Sequence, residues 1–454
     1  MAAEQGDYAN VQTTTNLKPL GQTLVTLSVA NREKLLSHAS QEASRGRNEA
    51  AAILDRLQQL NPAAASYFSP KIHAISNLPL RMICSQEPDS ESVKSIIIIS
   101  YSWHYPSWQL APAAHPITPG WGISKPMVDA IMELRENDQE AVWLDRLCIN
   151  QNDDGDKELH IGTMDLIYRS ARRVIILFED VQLTKEESDA GVAYAAFYED
   201  LCGQVTDRNL EGKERSDFIY SYFPAQEKTY REQGKGHLLL AVRPFLMKML
   251  SSRWYTRAWC AHESRVARHS RVNNPLILCF GDQDRVLSFE FRFVFMLANI
   301  QANMEFIAAN DFLNSFNPNS RGLEQLIIRM QRVFPSDNAN ASPMEHLASI
   351  MDFGCLYKGD LISIALNTSG IPLVFNGQKD VETEEDAIWL FSVLTLAAGD
   401  MQPLLFEGHR LRLFNPDRTQ ATSWMSHPRP YFHGDKLYTP MVNSITAITR
   451  RYIK

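Results

Sequence analysis

The 454-residue sequence lacks several features that identify common classes of protein. Its six cysteines are scattered, with neither a CxxC pair nor a dense framework, so we expect reduced thiols and no metal site. No GxGxxG or GxxxxGK[ST] pattern is present, which argues against the usual dinucleotide-binding and P-loop sites. Internal repeats and long low-complexity tracts are also missing.

Positive charge and long apolar runs are scarce as well. The net charge is −8, which is unlike the broad basic surface of a protein that binds nucleic acid. The most apolar run, "SIIIIS", is far too short to span a bilayer, and the N-terminal residues lack the pattern of a secretory signal. We therefore expect a cytoplasmic protein whose partners include neither nucleic acid nor a membrane.

From about residue 91 onward, apolar strands alternate with amphipathic helices. Four apolar stretches predict strands near 96–100, 141–145, 173–178 and 275–280, and helical patterns cover 124–138 and 157–171. Because "IIII" offers no polar face to solvent, the first strand should lie inside the sheet. The alternation predicts an α/β domain with a parallel sheet.

The chain divides by pattern into three regions. These are an N-terminal helical region at 1–90, the α/β domain at 91–283 with an insertion at about 181–250, and a mostly helical C-terminal region at 284–454. No Gly/Ser-rich linker marks either boundary, so we expect the flanking regions to pack against the α/β domain. Further helices are predicted near 31–60, 236–250, 287–309, 321–333 and 384–398.

One carboxylate interrupts an apolar helical face in "RWYTRAWCAHESRVARHS", residues 253–270. At about 100° per residue, Glu263 shares a stripe with Thr256, Trp259, Cys260, Val266 and Ala267. The opposite side carries Arg257, Ser264, Arg265 and Arg268. An unpaired buried carboxylate is costly. Glu263 therefore either pairs with a cation such as Arg146 or Arg253 and braces the fold, or supplies an acid to a water-poor site.

Polar residues gather where the predicted strands end. The three ends read Ser100-Tyr101-Ser102-Trp103, Asp145-Arg146 and Glu179-Asp180. Ligands of parallel α/β sheets bind outside the carboxyl ends of the strands. We therefore expect a site at this edge of the sheet, with Glu263 facing it.

Three blocks of this sequence resemble the successive signature blocks of the fungal HET (heterokaryon incompatibility) domain. They are "IIISYSW", "VWLDRLCINQNDDGDKELHIGTMDLIYRSARRVIILF" and "RWYTRAWCAHE", and together with the strand that follows they cover about residues 91–281 in the family's order. Two positions depart from the family's pattern. His104 stands where the family has glycine, and Arg146 stands where a small residue is commoner.

HET domains in turn resemble TIR domains, which have a flavodoxin-like fold with a parallel sheet. The likeness here lies in "WCAHE" followed by "NPLILCF". In TIR enzymes that hydrolyse NAD, the glutamate of this helix is the catalytic acid, and the resemblance gives that role to Glu263. It implies an NAD glycohydrolase linked to cell death, in incompatibility or an immune response. NAD would be the substrate, without a cofactor, and activation would involve a homo-oligomer and an upstream sensor protein.

Several further residues are candidates for binding NAD. They are Ser100, Tyr101, Ser102, Trp103, Asp145, Arg146 and Trp259. The aromatic side chains would stack on a base or on nicotinamide, or else anchor the loop; the serines would bind ribose or phosphate, or else cap a turn. Cys260 and His262 point about 200° apart on a helix, which argues against a Cys–His nucleophile. The alternative function is a non-catalytic TIR-like module that self-associates and signals.

Overall fold

The computed structural model describes most of the chain. The described residues are 23–37, 41, 44–84, 93–102, 116–269, 275–311, 323, 326–327, 330, 342–406, 408–414 and 420–428. They belong to two compact units, one drawn from within 1–41, 77–160 and 164–336, the other from within 42–76, 161–163 and 337–454. In the described part of the chain, every helix is too short or too polar to cross a membrane.

The described strands and helices have the following bounds. The strands are β1 (Thr23–Thr26), β2 (Phe68–Pro70), β3 (Arg81–Cys84), β4 (Ser95–Tyr101), β5 (Glu140–Leu144), β6 (Arg173–Gln182), β7 (Leu276–Phe280), β8 (Val286–Glu290), β9 (Leu373–Phe375), β10 (Arg410–Phe414) and β11 (Gln420–Ser426). The helices are α1 (Val29–Leu35), α2 (Arg47–Leu60), α3 (Pro62–Ala65), α4 (Lys71–Asn77), α5 (Lys125–Glu133), α6 (Asp145–Cys148), α7 (Asp154–Ser170), α8 (Lys185–Asp207), α9 (Gly212–Glu232), α10 (Gly236–Ser251), α11 (Ala258–His269), α12 (Phe291–Asp311), α13 (Pro343–Ile350), α14 (Gly359–Ser369) and α15 (Glu384–Ala397).

A seven-stranded sheet forms the core of the first unit, in the order β1-β3-β5-β4-β6-β7-β8. Its four central strands, β5, β4, β6 and β7, pair in parallel. The predicted strands are confirmed within a few residues, and β4 lies inside the sheet with Ile96–Ile99 almost fully buried. In these four strands the first along the chain lies between the second and the third, as it does in flavodoxin-like sheets.

The sheet is mixed, whereas the sequence predicted a parallel one. β3 pairs antiparallel with β5, β1 with β3, and β8 with β7. Two of these strands, β1 and β3, come from the region before residue 90, where helix was predicted but no strand. The third, β8, lies where the helix predicted for 287–309 was expected to begin. Its sequence "VLSFE" alternates buried and exposed side chains, as an edge strand does.

The longer helical patterns were located correctly. α5, α7, α10 and α15 overlap the helices predicted at 124–138, 157–171, 236–250 and 384–398. The helix predicted over 31–60 is divided into α1 and α2, and the one predicted over 321–333 lies largely outside the described residues. The insertion consists of α8, α9 and α10, and a capping box of Thr184 and Glu187 begins α8.

The second unit is mostly helical and contains two small antiparallel sheets. β2 pairs with β9, and β10 pairs with β11. Polar contacts join its distant segments: in a buried contact Lys71 Nζ donates to Asn367 Oδ1 at 2.9 Å, and in a partly buried one Arg56 Nε donates to the Ala397 carbonyl at 2.5 Å. Gly370 ends α14 in the left-handed conformation, with φ of 74°, which glycine adopts without strain.

Candidate functional site

Glu263 lies in the middle of α11 and is only 6% exposed. The Ser100 hydroxyl, near the carboxyl end of β4, donates a hydrogen bond to Glu263 Oε2. The Tyr168 hydroxyl, on α7, is hydrogen-bonded to the same carboxylate. The Trp254 indole Nε1 donates to Ser100 Oγ at 2.7 Å, so that an indole, a hydroxyl and a carboxylate form a chain of hydrogen bonds.

The turn that carries Trp254 is fixed to the end of β6. It is a 3₁₀ turn, Arg253–Thr256, directly before α11. Both oxygens of the Asp180 carboxylate bind its start: Ser252 Oγ donates at 2.9 Å and the Arg253 backbone N–H at 2.7 Å. The indole ring itself packs against Phe178, with ring centroids 6.0 Å apart. Strand β6 therefore determines where the indole N–H points.

Burial raises the pKa of Glu263 above its ordinary value of 4.5. The hydrogen bond from Ser100, the charge of Arg257 and the hydrogen bond from Tyr168 oppose that shift without cancelling it. Among the described residues, no cation lies within ion-pair distance of Glu263, so the pairing with Arg146 or Arg253 that would brace the fold is not formed. The acid is held by neutral hydroxyl groups.

The amphipathic view of α11 was too simple. Ser264 and Arg265, predicted on the solvent side, are 1% and 7% exposed, and His262 is fully buried. Arg257 is partly buried, and its charge acts on Glu263. The prediction assumed that a helix packs on one side only, whereas this helix is enclosed on both sides.

A second group of charged residues surrounds the Tyr101 side chain at the end of β4. Burial, together with the charge of Asp145, raises the pKa of this phenol well above its ordinary value, and the charges of Arg146 and Arg257 oppose the shift. Arg257 also donates a hydrogen bond from Nη1 to the Tyr101 carbonyl at 3.3 Å. Glu179 acts on the same phenol. The ends of β4, β5 and β6 therefore meet at one edge, as the sequence predicted.

Asp145 and Arg146 begin the short helix α6 after β5. Asp145 Oδ1 accepts the backbone N–H of Arg146 at 2.6 Å, and the Asp145 carbonyl accepts Gln151 Nε2 at 3.2 Å. The Arg146 guanidinium packs directly on Gly122, whose φ is +66°. Within the described part of the chain, that guanidinium has no hydrogen bond or ion pair.

The remaining candidates differ in position. Ser102 is buried beside the others at the end of β4, whereas Trp259 is partly exposed and its ring contacts His262 at a centroid distance of 5.6 Å. Trp103 and His104 lie outside the described residues. Burial raises the pKa of the Cys260 thiol well above its ordinary value, which argues further against a Cys–His nucleophile.

Tyr168, Trp254 and Arg257 were missed as site residues. Tyr168 lies in "LIYRSA" and Trp254 in "RWYTRAW", two of the blocks that carry the family resemblance. The side chains of Tyr168 and Trp254 look like core residues in the sequence, and both are indeed buried. Only their polar atoms, which reach Glu263 and Ser100, distinguish them from core residues.

Comparison with known proteins identifies one domain of the chain. Residues 97–263 match the family model described as heterokaryon incompatibility protein (HET), a span that runs from β4 to Glu263 itself. The searches of curated proteins and of solved structures gave no match. The family match implies a role related to heterokaryon incompatibility and cell death. The chain thus contains a heterokaryon incompatibility (HET) domain at residues 97–263.

Proposed function

We propose that this HET domain is an NAD glycohydrolase, and that Glu263 stabilises the transition state for cleavage of the nicotinamide–ribose bond. The observation that carries the proposal is the environment of Glu263. A buried carboxyl group at the carboxyl edge of a parallel sheet accepts hydrogen bonds from two hydroxyl groups and has no ion-pair partner among the described residues. A carboxylate that only braced the fold would be expected to pair with a cation.

The chemistry of this bond suits a single acid. When the ribose C–N bond breaks, both electrons pass to the nicotinamide nitrogen, which leaves as a neutral molecule without being protonated. Positive, oxocarbenium-like charge then develops on the ribose, and a nearby carboxylate in a water-poor site stabilises it. Water adds to the anomeric carbon and releases a proton.

The neighbours of Glu263 hold it for this task. Hydrogen bonds from Ser100 and Tyr168 fix the direction of the carboxylate, and Trp254 in turn fixes Ser100. The charge of Arg257 favours the ionised form, which is the form that stabilises a cation. Since burial raises the pKa of Glu263, the same group is also suited to receive the proton that the attacking water releases.

The rest of the site belongs to the same proposal. Tyr101, Ser102, Asp145 and Arg146 lie at the edge where the ribose and phosphates of NAD would bind, and the partly exposed Trp259 offers an aromatic face. Assembly into a homo-oligomer, signalled by an upstream sensor, would switch the activity on in the cytoplasm.

The test compares the full-length chain with Glu263→Gln. Glutamine retains the shape of the side chain but removes the charge, so kcat should fall by about two to four powers of ten, or roughly 3–5 kcal/mol, while KM changes little. Free nicotinamide is measured after incubation with NAD, and NAD content is measured in cells that express each variant. Glu133→Gln, an exposed acid at the end of α5, is the matched control and should retain the parent's activity.

Equal nicotinamide release and equal cellular NAD in the parent and in Glu263→Gln would contradict the proposal. The acid would then be structural, and self-association without catalysis would be the function to examine next.

A further inference from the structure

The strand order predicts a ligand-binding crevice beside β4. The chain leaves β4 towards β5 on one side and returns to β6 on the other, so the strand order reverses between β4 and β6. Ligands of open α/β sheets bind in the crevice at such a point, and their phosphate groups lie at the N-terminus of the helix that follows the first strand. In this chain that helix is α5, whose N-cap is Ser124.

A carboxylate of the protein itself occupies the N-terminus of α5. Glu179, near the carboxyl end of β6 and 7% exposed, accepts the backbone N–H of Ser124 at 2.8 Å through Oε1. The start of a helix favours negative charge, because its N–H groups point outward and its dipole is positive there. Glu179 therefore occupies the position that a phosphate takes in related sheet architectures.

Two buried hydroxyl groups belong to the elements that meet here, one at the N-cap of α5 and one directly after β4. Ser124 is the N-cap residue, but its side chain does not cap the helix, and it is 3% exposed. Ser102, which follows β4, is 7% exposed. Neither hydroxyl has a hydrogen-bond partner in the described part of the chain. Buried hydroxyls are normally hydrogen-bonded, so these two are suited to bind the oxygen atoms of a ligand.

The side chain of Arg146 lies close to the N-terminus of α5. The guanidinium of Arg146 packs on Gly122, two residues before the N-cap, and is partly exposed. It acts on the same Tyr101 phenol as Asp145 and Glu179, yet it forms an ion pair with neither. A guanidinium presents two parallel N–H groups, a geometry that fits phosphate.

We propose that the N-terminus of α5 is the subsite for the phosphate groups of a nucleotide, and that Glu179 holds this subsite closed as an internal anion. A diphosphate displaces the Glu179 carboxylate, accepts the Ser124 N–H and the hydroxyls of Ser124 and Ser102, and pairs with Arg146. The inference rests on the proposed function for the identity of the nucleotide, but not for the binding of the anion.

The test measures the affinity of the full-length chain for inorganic pyrophosphate by titration calorimetry at fixed ionic strength. Glu179→Gln retains an oxygen that accepts the Ser124 N–H but removes the competing charge, so Kd should fall by about tenfold. The double variant Glu179→Gln/Arg146→Gln should lose that gain. Glu133→Gln, which removes one charge from the exposed end of the same helix, should bind as the parent does.

Unchanged or weaker pyrophosphate binding by folded Glu179→Gln would overturn the inference. Glu179→Ser is a second variant that removes the charge with a different side chain, and it should show the same gain; thermal melting checks that each variant is folded. If tighter pyrophosphate binding occurs in variants that release no nicotinamide from NAD, the subsite stands and the proposed function fails. Nicotinamide release without the gain in affinity would instead support the proposed function and overturn the subsite.

Discussion

At the scale of single residues, the burial of Glu263 affects the stability of the fold. A carboxyl group that was placed only for stability would be exposed or paired with a cation. Here burial raises its pKa, which means that the folded chain resists ionising it. The unfolded chain has no such resistance, so ionisation favours unfolding. The fold therefore carries this acid at a cost in stability.

The cost should depend on pH. Between about pH 4.5, near the unfolded pKa, and the raised folded pKa, the native chain binds more protons at Glu263 than the unfolded chain, so the stability of the parent falls as pH rises. Glu263→Gln removes this dependence. Its melting temperature should exceed the parent's at pH 7, and the difference should shrink as pH falls towards 4.5. Thermal melting across this pH range measures it.

Glu133→Gln is the control for this pH series, because that acid is exposed. A Glu263→Gln variant that is less stable than the parent at pH 7, by the same amount at every pH, would show that the carboxylate stabilises the fold.

Under the proposed function, Trp254 should act on NAD cleavage through Ser100. Trp254→Phe removes the indole N–H that binds Ser100 Oγ but retains an aromatic ring against Phe178. We expect kcat for NAD cleavage to fall by roughly fivefold, with KM little changed, since about 1 kcal/mol of positioning is lost. Steady-state kinetics of nicotinamide release measures both constants.

A double-mutant cycle separates this role from a general loss of packing. In the Ser100→Ala background, Trp254→Phe should have little further effect on kcat, because the hydroxyl that the indole positions is gone. Additive losses in the cycle would contradict positioning through Ser100.

Of the residues in the candidate site, the sequence could reveal some but not others. The sequence singled out Glu263 because a carboxylate on an apolar stripe is an anomaly, and the family resemblance then suggested its catalytic role. Tyr168 and Trp254 display no such anomaly, since a buried aromatic residue is the ordinary content of a core. Their contacts with Glu263 and Ser100 span 95 and 154 positions of the chain, and no local pattern contains such contacts.

At the scale of secondary structure, the sequence predicted an element correctly where its pattern was typical of one kind of element. The short β-branched run "SIIIIS" is typical of a strand buried on both faces, and β4 is such a strand. β1 and β3 have four residues each, too few for a periodicity to be recognised. At β8, five alternating residues run directly into α12, so a single helical pattern concealed a strand and a helix.

Helix packing in the insertion gives a matched pair of substitutions. A Cβ at Gly191 of α8 would lie 2.6 Å from Cε2 of the buried Phe245 on α10, whereas one at Gly203 of the same helix would meet nothing within 4 Å. Gly203→Ala should stabilise the chain by about 0.5–1 kcal/mol through helix propensity. Gly191→Ala should instead destabilise it by about 1–3 kcal/mol, because a fully buried ring must move.

Denaturant unfolding of both alanine variants measures these free energies. Equal stabilisation by the two substitutions would show that Phe245 moves aside freely, and that α8 and α10 are not tightly packed at this point.

At the scale of the whole molecule, family motif and folded unit do not coincide. The family match ends at Glu263, but the sheet continues through β7 and β8 beyond the match and through β3 and β1 before it. The family model matches the part of the chain from β4 to α11, where the residues of the candidate site lie. The outer strands carry no motif, although they cover both edges of the parallel core, and sequence comparison therefore underestimates the extent of the fold.

The outer strands should prove necessary for folding. A fragment of residues 97–263 lacks β3 and β7, so it leaves the unpaired edges of β5 and β6 exposed in a strongly apolar sheet. Exposed apolar edges recruit other chains. We expect this fragment to aggregate and to show no cooperative thermal transition, whereas residues 77–311, which restore β3, β7 and β8, should melt cooperatively. Circular dichroism and size-exclusion chromatography distinguish these outcomes; a monomeric fragment 97–263 with a sharp transition would mean that the motif folds without its outer strands.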